Sequence, residues 1–587
     1  MSQTDTMNVI RRQVPKTRKP LHTNSVLHRV LAARGVTNPA ELKYSLGDLP
    51  RTETLPDIDK AIARLVQAHK AHERILVVGD YDCDGATSTA LMMRALAALG
   101  FLELDFVIPD RALHGYGLSP AVVDLGIEQH NPSLIITVDN GVAATDAIDY
   151  AQTKGIDVVV TDHHLPGAEL PKAVAVVNPS REDNTFPSAN IAGVGVAFYV
   201  LVALRKALHE GGLLARNVRM ADWLDLVAIG TVADVVPLDV VNRILVEQGL
   251  RRIRSGSSAP GVLSLIKSAG RDTANFSSID IGMLVGPMLN AAGRIEDMRV
   301  GVQCLLTDSK KEADLLAQSL HGLNDKRKKI QTDIQEEAGA IVDQLAAEAN
   351  TDSHALFAYA VHQPKWHQGV IGIVAGRLKD RLHLPVVVFA DDTDGVIKGS
   401  ARSIPGVNIR DVFYRISLLL PDAVIRFGGH AMAAGITLQQ GALKEFTAVL
   451  NQEVSGVLNH EVPTRQLVTD GPLALTEFNL TTATLLNHAT PWGTQFEAPT
   501  FDNHFVVESS KLVGKNRHAQ LQLRPLDPVT GEAGAPFPAI SFGDTRTFDS
   551  GEEVHAVFEL SVNRYRGNES VQLILRHLAP REGSVLA

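Results

Sequence analysis

Cysteine is almost missing from this 587-residue chain, which contains only Cys83 and Cys304. Two cysteines give no disulfide framework, and their spacing is not that of a zinc site. We therefore expect a reducing, cytoplasmic compartment. Long apolar runs are also missing, since the longest, from Val194 to Leu204, is too short to cross a bilayer. The N-terminal segment is basic and polar, so we expect no secretory signal there.

The chain also has no excess of positive charge. The formal net charge of −10 argues against a generally basic nucleic-acid-binding surface, so any such binding must come from local patches. The composition, with 45% hydrophobic and 21% charged residues, is ordinary for a soluble globular protein. A chain of 587 residues is long enough for three or four domains.

Three aspartates follow one short apolar run. The run from Ile75 to Val78 reads as a buried strand, and Asp80, Asp82 and Asp84 come directly after it, before a helix-compatible segment. Three carboxylates within five residues repel one another unless a cation lies among them. A hard divalent cation, Mg²⁺ or Mn²⁺, is the simplest partner, and a solvated acidic loop is the alternative.

Two other ligand-binding loops are excluded by single positions. A calcium-binding helix–loop–helix loop that starts at Asp80 needs a bidentate Glu at its twelfth residue, where this chain has Leu91. A phosphate-binding glycine loop needs a Lys followed by Ser or Thr after its last glycine, and Gly85 is followed by Ala86.

Strand and helix patterns alternate after residue 57, which predicts a parallel sheet with helices on both faces. The predicted strands are Ile75–Val78, Phe106–Ile108, Leu134–Val138, Val158–Val160 and Val174–Val177. Ligands bind outside the carboxyl ends of such strands. Asp139 follows the third strand, and Asp162, His163 and His164 follow the fourth. Each has an ordinary explanation by itself, but together with the first aspartates they predict a single site.

A further acid, Asp234, stands in an otherwise apolar, helix-like segment from Leu226 to Leu238. Burying a bare carboxylate would cost several kcal/mol or shift its pKa, and a metal partner removes the problem. The alternative is that this Asp caps the helix that begins near Asp239.

At this point the sequence resembles the DHH phosphoesterase family, and within it the bacterial single-strand-specific 5′-to-3′ DNA exonucleases. The resemblance extends from about residue 55 to the C-terminus, and Cys83 is the one departure, since a small residue such as Ala is expected there. The motifs that carry it are GDYDCDG at 79–85, VDNG at 138–141, TDHH at 161–164, VADVVPL at 232–238, NAAGR at 290–294, HQGVIG at 367–372, KGSAR at 398–402 and RFGGHAMAAG at 426–435.

The resemblance implies a centre of two divalent cations, Mg²⁺ or Mn²⁺. Its metal ligands would be Asp82, Asp84, Asp139, His163 and Asp234, with Asp139 as the bridging carboxylate. It also implies that His164 contacts the scissile phosphate. Asp80 is either a further ligand or a residue that orients one. Asp162 is expected to support the histidines by hydrogen bonding.

The resemblance also implies a pocket that measures the 5′ end of the DNA. Arginine suits this task because its planar guanidinium matches a phosphate with two hydrogen bonds, although an ordinary salt bridge is the alternative for each arginine. The candidate residues are Arg111, Arg294, Ser400, Arg402, Gly429 and His430.

The predicted fold class is α/β, with a parallel-sheet DHH domain, a smaller α/β DHH-associated domain joined to it by a long helix, and a C-terminal OB-type β-barrel. Short alternating β-rich runs after Pro463 favour the barrel, whose basic residues could track a DNA backbone. The predicted ranges are an N-terminal arm at 1–54, the DHH domain at 55–308, the connecting helix at 309–350, the associated domain at 351–462 and the barrel at 463–587.

We therefore expect a metal-dependent exonuclease that degrades single-stranded DNA from 5′ to 3′ into 5′-mononucleotides, in recombination and repair. The main alternative is a DHH-type phosphatase or nanoRNase that acts on short oligonucleotides, which would lack the long helix and the barrel. A metal-free scaffold would have lost motif carboxylates. The family implies a single-stranded-DNA-binding protein and a RecQ-type helicase as partners, and we expect a monomer.

Overall fold

The computed structural model describes residues 7–17, 19–110, 113–351, 355–393, 395–514, 516–565 and 567–580. These residues divide into two compact units. The smaller unit consists mainly of Gly322–Leu467, with Arg294–Glu296, and the larger contains Ile10–Gly293, Asp297–His321 and the chain from Val468 onward. Within the described ranges, no helix combines the length and the apolar character that crossing a membrane requires.

Helices outnumber strands in the first part of the chain. The strands are β1 (Met7–Arg11), β2 (Ile75–Val78), β3 (Leu104–Val107), β4 (Leu134–Val138), β5 (Asp157–Thr161) and β6 (Ala175–Val177). The helices are α1 (Ser25–Ala32), α2 (Ile58–Ala71), α3 (Cys83–Ala98), α4 (Pro120–His130), α5 (Thr145–Thr153), α6 (Gly193–Glu210), α7 (Leu224–Ala233), α8 (Val240–Arg254), α9 (Pro260–Ser268), α10 (Ser278–Asp280), α11 (Gly286–Ile295), α12 (Arg299–Leu306) and α13 (Lys310–Thr351).

Strands β2 to β6 form a parallel sheet in the order β3-β2-β4-β5-β6. The predicted strands lie within about two residues of the observed ones, because buried parallel strands are continuous apolar runs. Helices α4 and α5 pack their apolar residues on one face, and α6 packs on the other. From β2 the chain passes to β3 on one side, and from β3 it crosses over β2 to reach β4 on the other side. The crevice between the carboxyl ends of β2 and β4 is therefore the topological switch point.

The smaller unit contains a second, mixed sheet in the order β10-β11-β9-β8-β7. Only β7 and β8 pair in parallel, and the other pairs are antiparallel. The chain enters this unit along α13, and helices α14 to α16 accompany the sheet. Its elements are β7 (Tyr359–His362), α14 (Gln368–Leu382), β8 (Val386–Asp391), β9 (Val396–Arg402), α15 (Ile409–Leu419), β10 (Val424–Gly429), β11 (Ala433–Gln439) and α16 (Leu443–Val457), followed by β12 (Arg465–Thr469).

The C-terminal region is a closed five-stranded barrel in the order β13-β14-β15-β17-β16. Phe478 stacks on Phe537 and Phe558, with ring centroids 5.5 and 5.7 Å apart, and so fills the barrel interior. The strands are longer than the short runs that predicted them. They are β13 (Phe501–Val513), β14 (His518–Pro525), β15 (Phe537–Phe542), β16 (Glu553–Tyr565) and β17 (Asn568–Pro580), and α17 (Leu480–His488) precedes them.

Arg34 links the N-terminal segment to the barrel region. Its guanidinium donates to both carboxylate oxygens of Asp470, at 2.7 and 3.0 Å, and lies 5.3 Å from the centroid of the Trp492 ring. The side chains of Arg34 and Asp470 are 1% and 2% exposed. A buried ion pair of this kind adds little net stability, but removing one partner leaves a buried charge uncompensated.

Asp470→Asn should therefore destabilise the larger unit by about 3–5 kcal/mol. Urea denaturation followed by tryptophan fluorescence measures the loss. Glu569→Gln is the matched control, because the pair that it breaks, between Arg564 and Glu569, is exposed and should be worth at most about 1 kcal/mol. Equal losses in the two variants would contradict the importance of the buried pair.

Candidate metal centre

The switch point of the parallel sheet brings the first two acidic motifs together. Asp80 and Asp82 follow β2, and Asp139 follows β4 in a left-handed backbone conformation with φ of 61°. The side-chain amide of Asn140 donates to the carbonyl oxygens of Val78 and Val138, at 3.0 and 2.9 Å, and so ties the ends of the two strands together. The sequence reasoning quoted Asn140 as part of a motif but assigned it no role.

The carboxylate of Asp84 is completely buried and is hydrogen-bonded to backbone amides. It accepts hydrogen bonds from the amides of Gly193 and Val194, at 2.7 and 3.0 Å, at the start of α6. Two glycines make room for the cluster. A Cβ at Gly193 would lie 2.6 Å from Asp139 Oδ1, and one at Gly230 would lie 2.7 Å from Asp84 Oδ1. Neither glycine carries a sequence signal that marks it as part of a site.

His163 lies between two of the carboxylates. Its Nε2 is 3.2 Å from Asp139 Oδ1 and 3.4 Å from Asp234 Oδ2. Asp234 is the C-cap of α7, so it stands at the end of the helix rather than inside it. The helix that follows is capped by Asp239, whose side chain accepts from the Asn242 amide at 3.0 Å. Capping of that helix therefore does not explain Asp234.

Asp162 holds His164 in place. Its Oδ1 is 2.8 Å from His164 Nδ1 and also accepts hydrogen bonds from the amides of His163 and His164. On the other side of the ring, the Tyr116 hydroxyl lies 3.2 Å from His164 Nε2 and donates to the carbonyl oxygen of Asp139 at 3.2 Å. Tyr116 is a residue of the site that sequence reasoning missed.

All seven predicted metal-centre and catalytic residues of the larger unit lie in this one cluster. Three groups of potential ligand atoms each fall within 4.8 Å of one another, and they share members. The groups are Asp139, His163 and His164; Asp84, His163 and Asp234; and Asp80, Asp82 and Asp139. An exposed acidic loop would not bury its carboxylates in this way.

Among the residues that the structure describes, the carboxylates of this cluster outnumber the cationic side chains beside them. Burial and the charge of Asp82 raise the pKa of Asp84 to about 7, against the effect of its backbone hydrogen bonds. Burial and the neighbouring aspartates raise the pKa values of Asp139 and Asp234 well above the usual range. Carboxylate oxygens with one imidazole nitrogen are ligands that suit Mg²⁺ and Mn²⁺, so these residues fit divalent cations.

Asp162 and His164 behave as an ion pair. Burial acts to raise the pKa of Asp162, but the hydrogen bond and the charge of His164 hold it below its ordinary value. Burial likewise acts to lower the pKa of His164, but the hydrogen bond and the charge of Asp162 raise it to about 9. His164 is therefore cationic at neutral pH in the metal-free protein.

The residues predicted to measure the 5′ end lie in the smaller unit, except Arg111, which lies outside the described residues. The Arg402 guanidinium donates to Ser400 Oγ at 3.3 Å. A Cβ at Gly372, in the first turns of α14, would lie 2.8 Å from Ser400 Oγ and 3.1 Å from Arg402 Nη2. The Arg294 guanidinium donates to the carbonyl oxygen of Gly369, at the start of the same helix. These three predicted side chains thus converge on the N-terminal part of α14.

Gly429 and His430 lie at the end of β10, which is separated from β9 by β11. In the register of the sheet Gly429 faces Ala434, and Arg402 faces Ala433. The two residues are therefore at the same end of the sheet as Arg402 but two strands away. Gly429 has φ of 131°, and a Cβ there would lie 2.6 Å from the Ala434 Cα, so the position requires glycine.

Comparison with known proteins identifies three parts of the chain. Residues 74–231 match the N-terminal domain of the DHH family, residues 353–456 match the DHHA1 domain, and residues 469–577 match the RecJ OB domain. The single-stranded-DNA-specific exonuclease RecJ of Escherichia coli is 43% identical over 97% of this chain and 98% of its own length.

Two solved structures are similar over nearly the whole chain. RecJ from Thermus thermophilus in complex with Mn²⁺ has a TM-score of 0.80 and 27% identity, and covers 99% of this chain and 80% of its own. The complex with Mg²⁺ has a TM-score of 0.72 and 25% identity, and covers 98% and 79%. These matches confirm the predicted family and the predicted fold class.

A divalent cation should stabilise the protein more as the pH rises. Since the folded-state pKa of Asp84 is about 7, above its unfolded value, the metal-free protein loses stability as the pH rises from that unfolded value toward about 7. Metal binding needs the ionised carboxylates and offsets that loss. The Tm difference between samples with Mn²⁺ and with a chelator should therefore widen as the pH rises to about 7 and change little above it.

Asp139→Asn is the control for this prediction, because it removes one buried charge from the cluster. It should raise the Tm of the metal-free protein at the higher pH and reduce the shift that Mn²⁺ produces. A Tm difference that does not change with pH in the unmodified protein would contradict the assignment of these carboxylates to a metal centre.

Proposed function

Because the chain belongs to the RecJ family of single-stranded-DNA-specific exonucleases, we propose that it is a metal-dependent exonuclease. Its substrate is single-stranded DNA, which it degrades from the 5′ end into 5′-mononucleotides. The observation that carries the proposal is the cluster of buried carboxylates and histidines at the switch point of the parallel sheet. A phosphatase or nanoRNase for short oligonucleotides is not favoured, since relatives that match 97% of this chain are single-stranded-DNA-specific exonucleases.

Five residues would hold the cations: Asp82, Asp84, Asp139, His163 and Asp234. When bound, two divalent cations activate a water molecule as the nucleophile and stabilise the negative charge that develops on the phosphate oxygens. The chain therefore needs no Ser or Cys nucleophile. Asp80 lies in a group with Asp82 and Asp139, where it either binds a cation or orients a ligand.

His164 is suited to bind the scissile phosphate. Its Nδ1 is engaged by Asp162, and its Nε2 lies 3.2 Å from the Tyr116 hydroxyl, so a phosphate oxygen would have to share or replace that contact to accept from Nε2. The pKa of about 9 keeps the ring cationic, which makes such a hydrogen bond charge-assisted. The contact with Tyr116 limits rotation of the ring.

The first turn of α14 with Arg294, Ser400 and Arg402 is the proposed site for the 5′ phosphate. Helix N-termini bind phosphates because their backbone amides are unpaired and the helix dipole favours negative charge. Gly369 and Gly372 let Arg294 and Ser400 approach this turn closely, since a Cβ at Gly369 would lie 2.5 Å from the Arg294 carbonyl oxygen and one at Gly372 would lie 2.8 Å from Ser400 Oγ. Arg111, Gly429 and His430 belong to the same proposal by resemblance only.

The barrel would bind the rest of the strand. Of the basic residues predicted to track the DNA backbone, Arg524 pairs with Glu508 and Arg564 pairs with Glu569. Lys511 lines a shallow pocket with Ser509, Ser510 and Gln520, which makes it the better candidate for a phosphate contact. The single-stranded-DNA-binding protein, the RecQ-type helicase, the monomeric state and the cytoplasmic location stay predictions.

End-labelled oligonucleotides test this function directly. With Mn²⁺, the protein should shorten a single strand from its 5′ end and leave a blunt duplex largely intact. Asp82→Ala, Asp139→Ala and His163→Ala should each abolish hydrolysis, because each removes one ligand of the cations. Degradation from the 3′ end would refute the proposed polarity, and wild-type turnover in two of the three variants at saturating Mn²⁺ would refute the site.

Arg402→Ala tests the pocket for the 5′ phosphate. A charge-assisted hydrogen bond to phosphate is worth about 1.5–3 kcal/mol, so the preference for 5′-phosphorylated over 5′-hydroxyl strands should fall roughly ten- to a hundredfold. The measurement is the ratio of initial rates on the two substrates. Arg415→Ala is the matched control, since this arginine of the same unit pairs with Glu453 on the surface of α15 and α16. An unchanged ratio in Arg402→Ala would exclude the pocket but not the activity.

A further inference from the structure

Val235 is a conformational outlier beside the metal centre. It follows Asp234, whose carboxylate is 3.4 Å from His163, and its φ is 63°. The position directly after a helix C-cap often adopts this left-handed conformation, but glycine is the usual residue there. For a β-branched residue the conformation is strained. Such strain persists at sites where the surrounding structure fixes it, and it is a reason to look for a function.

Packing in the protein itself does not compensate for this strain. The Val235 side chain is 65% exposed, whereas Val227 and Leu226 of the preceding helix are fully buried. A glycine at position 235 would relieve the strain and expose no methyl groups. The valine side chain is therefore costly in the free protein, and contact with a bound molecule would offset this cost.

A second exposed apolar residue lies on the neighbouring segment. Residues Ile281–Val285 form one turn of π-helix between α10 and α11, and such turns occur often at functional sites. This turn packs against the end of α7, since a Cβ at Gly282 would lie 3.7 Å from Val232 and one at Gly286 would lie 3.0 Å from Ala233. Met283 of the turn is 70% exposed.

We propose that Val235 and Met283 form an apolar shelf that contacts the base of a nucleotide whose phosphate is held at the metal centre. This inference rests on the proposed function. The faces of the bases are the largest apolar surfaces of single-stranded DNA, and stacking contact with them tolerates any sequence. A partner protein bound to the shelf would cover the residue next to Asp234 and so obstruct the centre. The shelf would also explain why a valine stands at a position that favours glycine.

The test combines changes in the protein with changes in the substrate. Val235→Ala and Met283→Ala should each raise KM for a 5′-phosphorylated single strand roughly three- to tenfold, with kcat changed by less than about twofold. Leu102→Ala is the matched control. Leu102 is 73% exposed and precedes β3, at the amino ends of the parallel strands, whereas the metal centre lies at their carboxyl ends, so its loss should leave KM unchanged.

An abasic nucleotide, moved one position at a time along the strand from the 5′ end, identifies the contacted base. At the contacted position, the loss in kcat/KM that the abasic nucleotide causes should be smaller for Val235→Ala than for the wild type, because the abasic nucleotide and the substitution remove the same contact. Additive costs at every position would overturn the inference while leaving the exonuclease activity in place. A wild-type protein that leaves every oligonucleotide intact would instead overturn the proposed function, and the shelf with it.

Val235→Gly separates binding from stability. Glycine relieves the left-handed strain, so the Tm should rise, while KM should rise as it does in Val235→Ala. A higher Tm with unchanged KM would show that the valine side chain does not contact the substrate, and would overturn the inference.

Discussion

The constraint on which this structure depends is the mutual repulsion of carboxylates that are buried together. Asp84, Asp139 and Asp234 come from three separate segments, and each has a raised pKa because water is excluded and the neighbours are also acids. A fold can keep such groups together only if rigid elements hold them. The parallel sheet meets this requirement for the segments that carry Asp84 and Asp139, because β2 and β4 cannot move apart without losing their ladder of hydrogen bonds, and α7 carries Asp234.

The neighbouring residues reduce the repulsion without neutralising it. The start of α6 binds Asp84 through two backbone amides, and Asn140 ties the ends of β2 and β4 together. His164 forms an ion pair with Asp162, and its charge also acts to lower the pKa values of Asp84 and Asp234. The negative charge that remains is the driving force for binding divalent cations, so the instability of the free cluster and its affinity for metal have the same origin.

The parts that could be predicted from the sequence are those in which the signal is local. Buried parallel strands are short apolar runs, so β2 to β6 could be predicted. Ligand residue types that follow such strands indicate the rim of the sheet, so six residues of the centre could be assigned to one site. Asp234 follows a helix and was marked instead as an acid in an apolar segment. The link between Arg34 and Asp470 could not be predicted, because 436 positions separate the two residues and each resembles any surface charge. Tyr116 was missed for a similar reason, since a tyrosine in a glycine-rich loop has no distinctive pattern.

Val235 shows a different kind of limit. Sequence reasoning finds left-handed backbone by looking for glycine, so a valine in that conformation gives no signal. The motif around Asp234 was therefore interpreted as continuous helix, with the acid inside it, whereas the helix ends at the acid and the chain turns directly after it. That turn directs Asp234 toward His163 and leaves Val235 exposed beside the cluster. The orientation of Asp234 and the strain at Val235 thus both follow from one backbone reversal, which leaves no signal in the sequence.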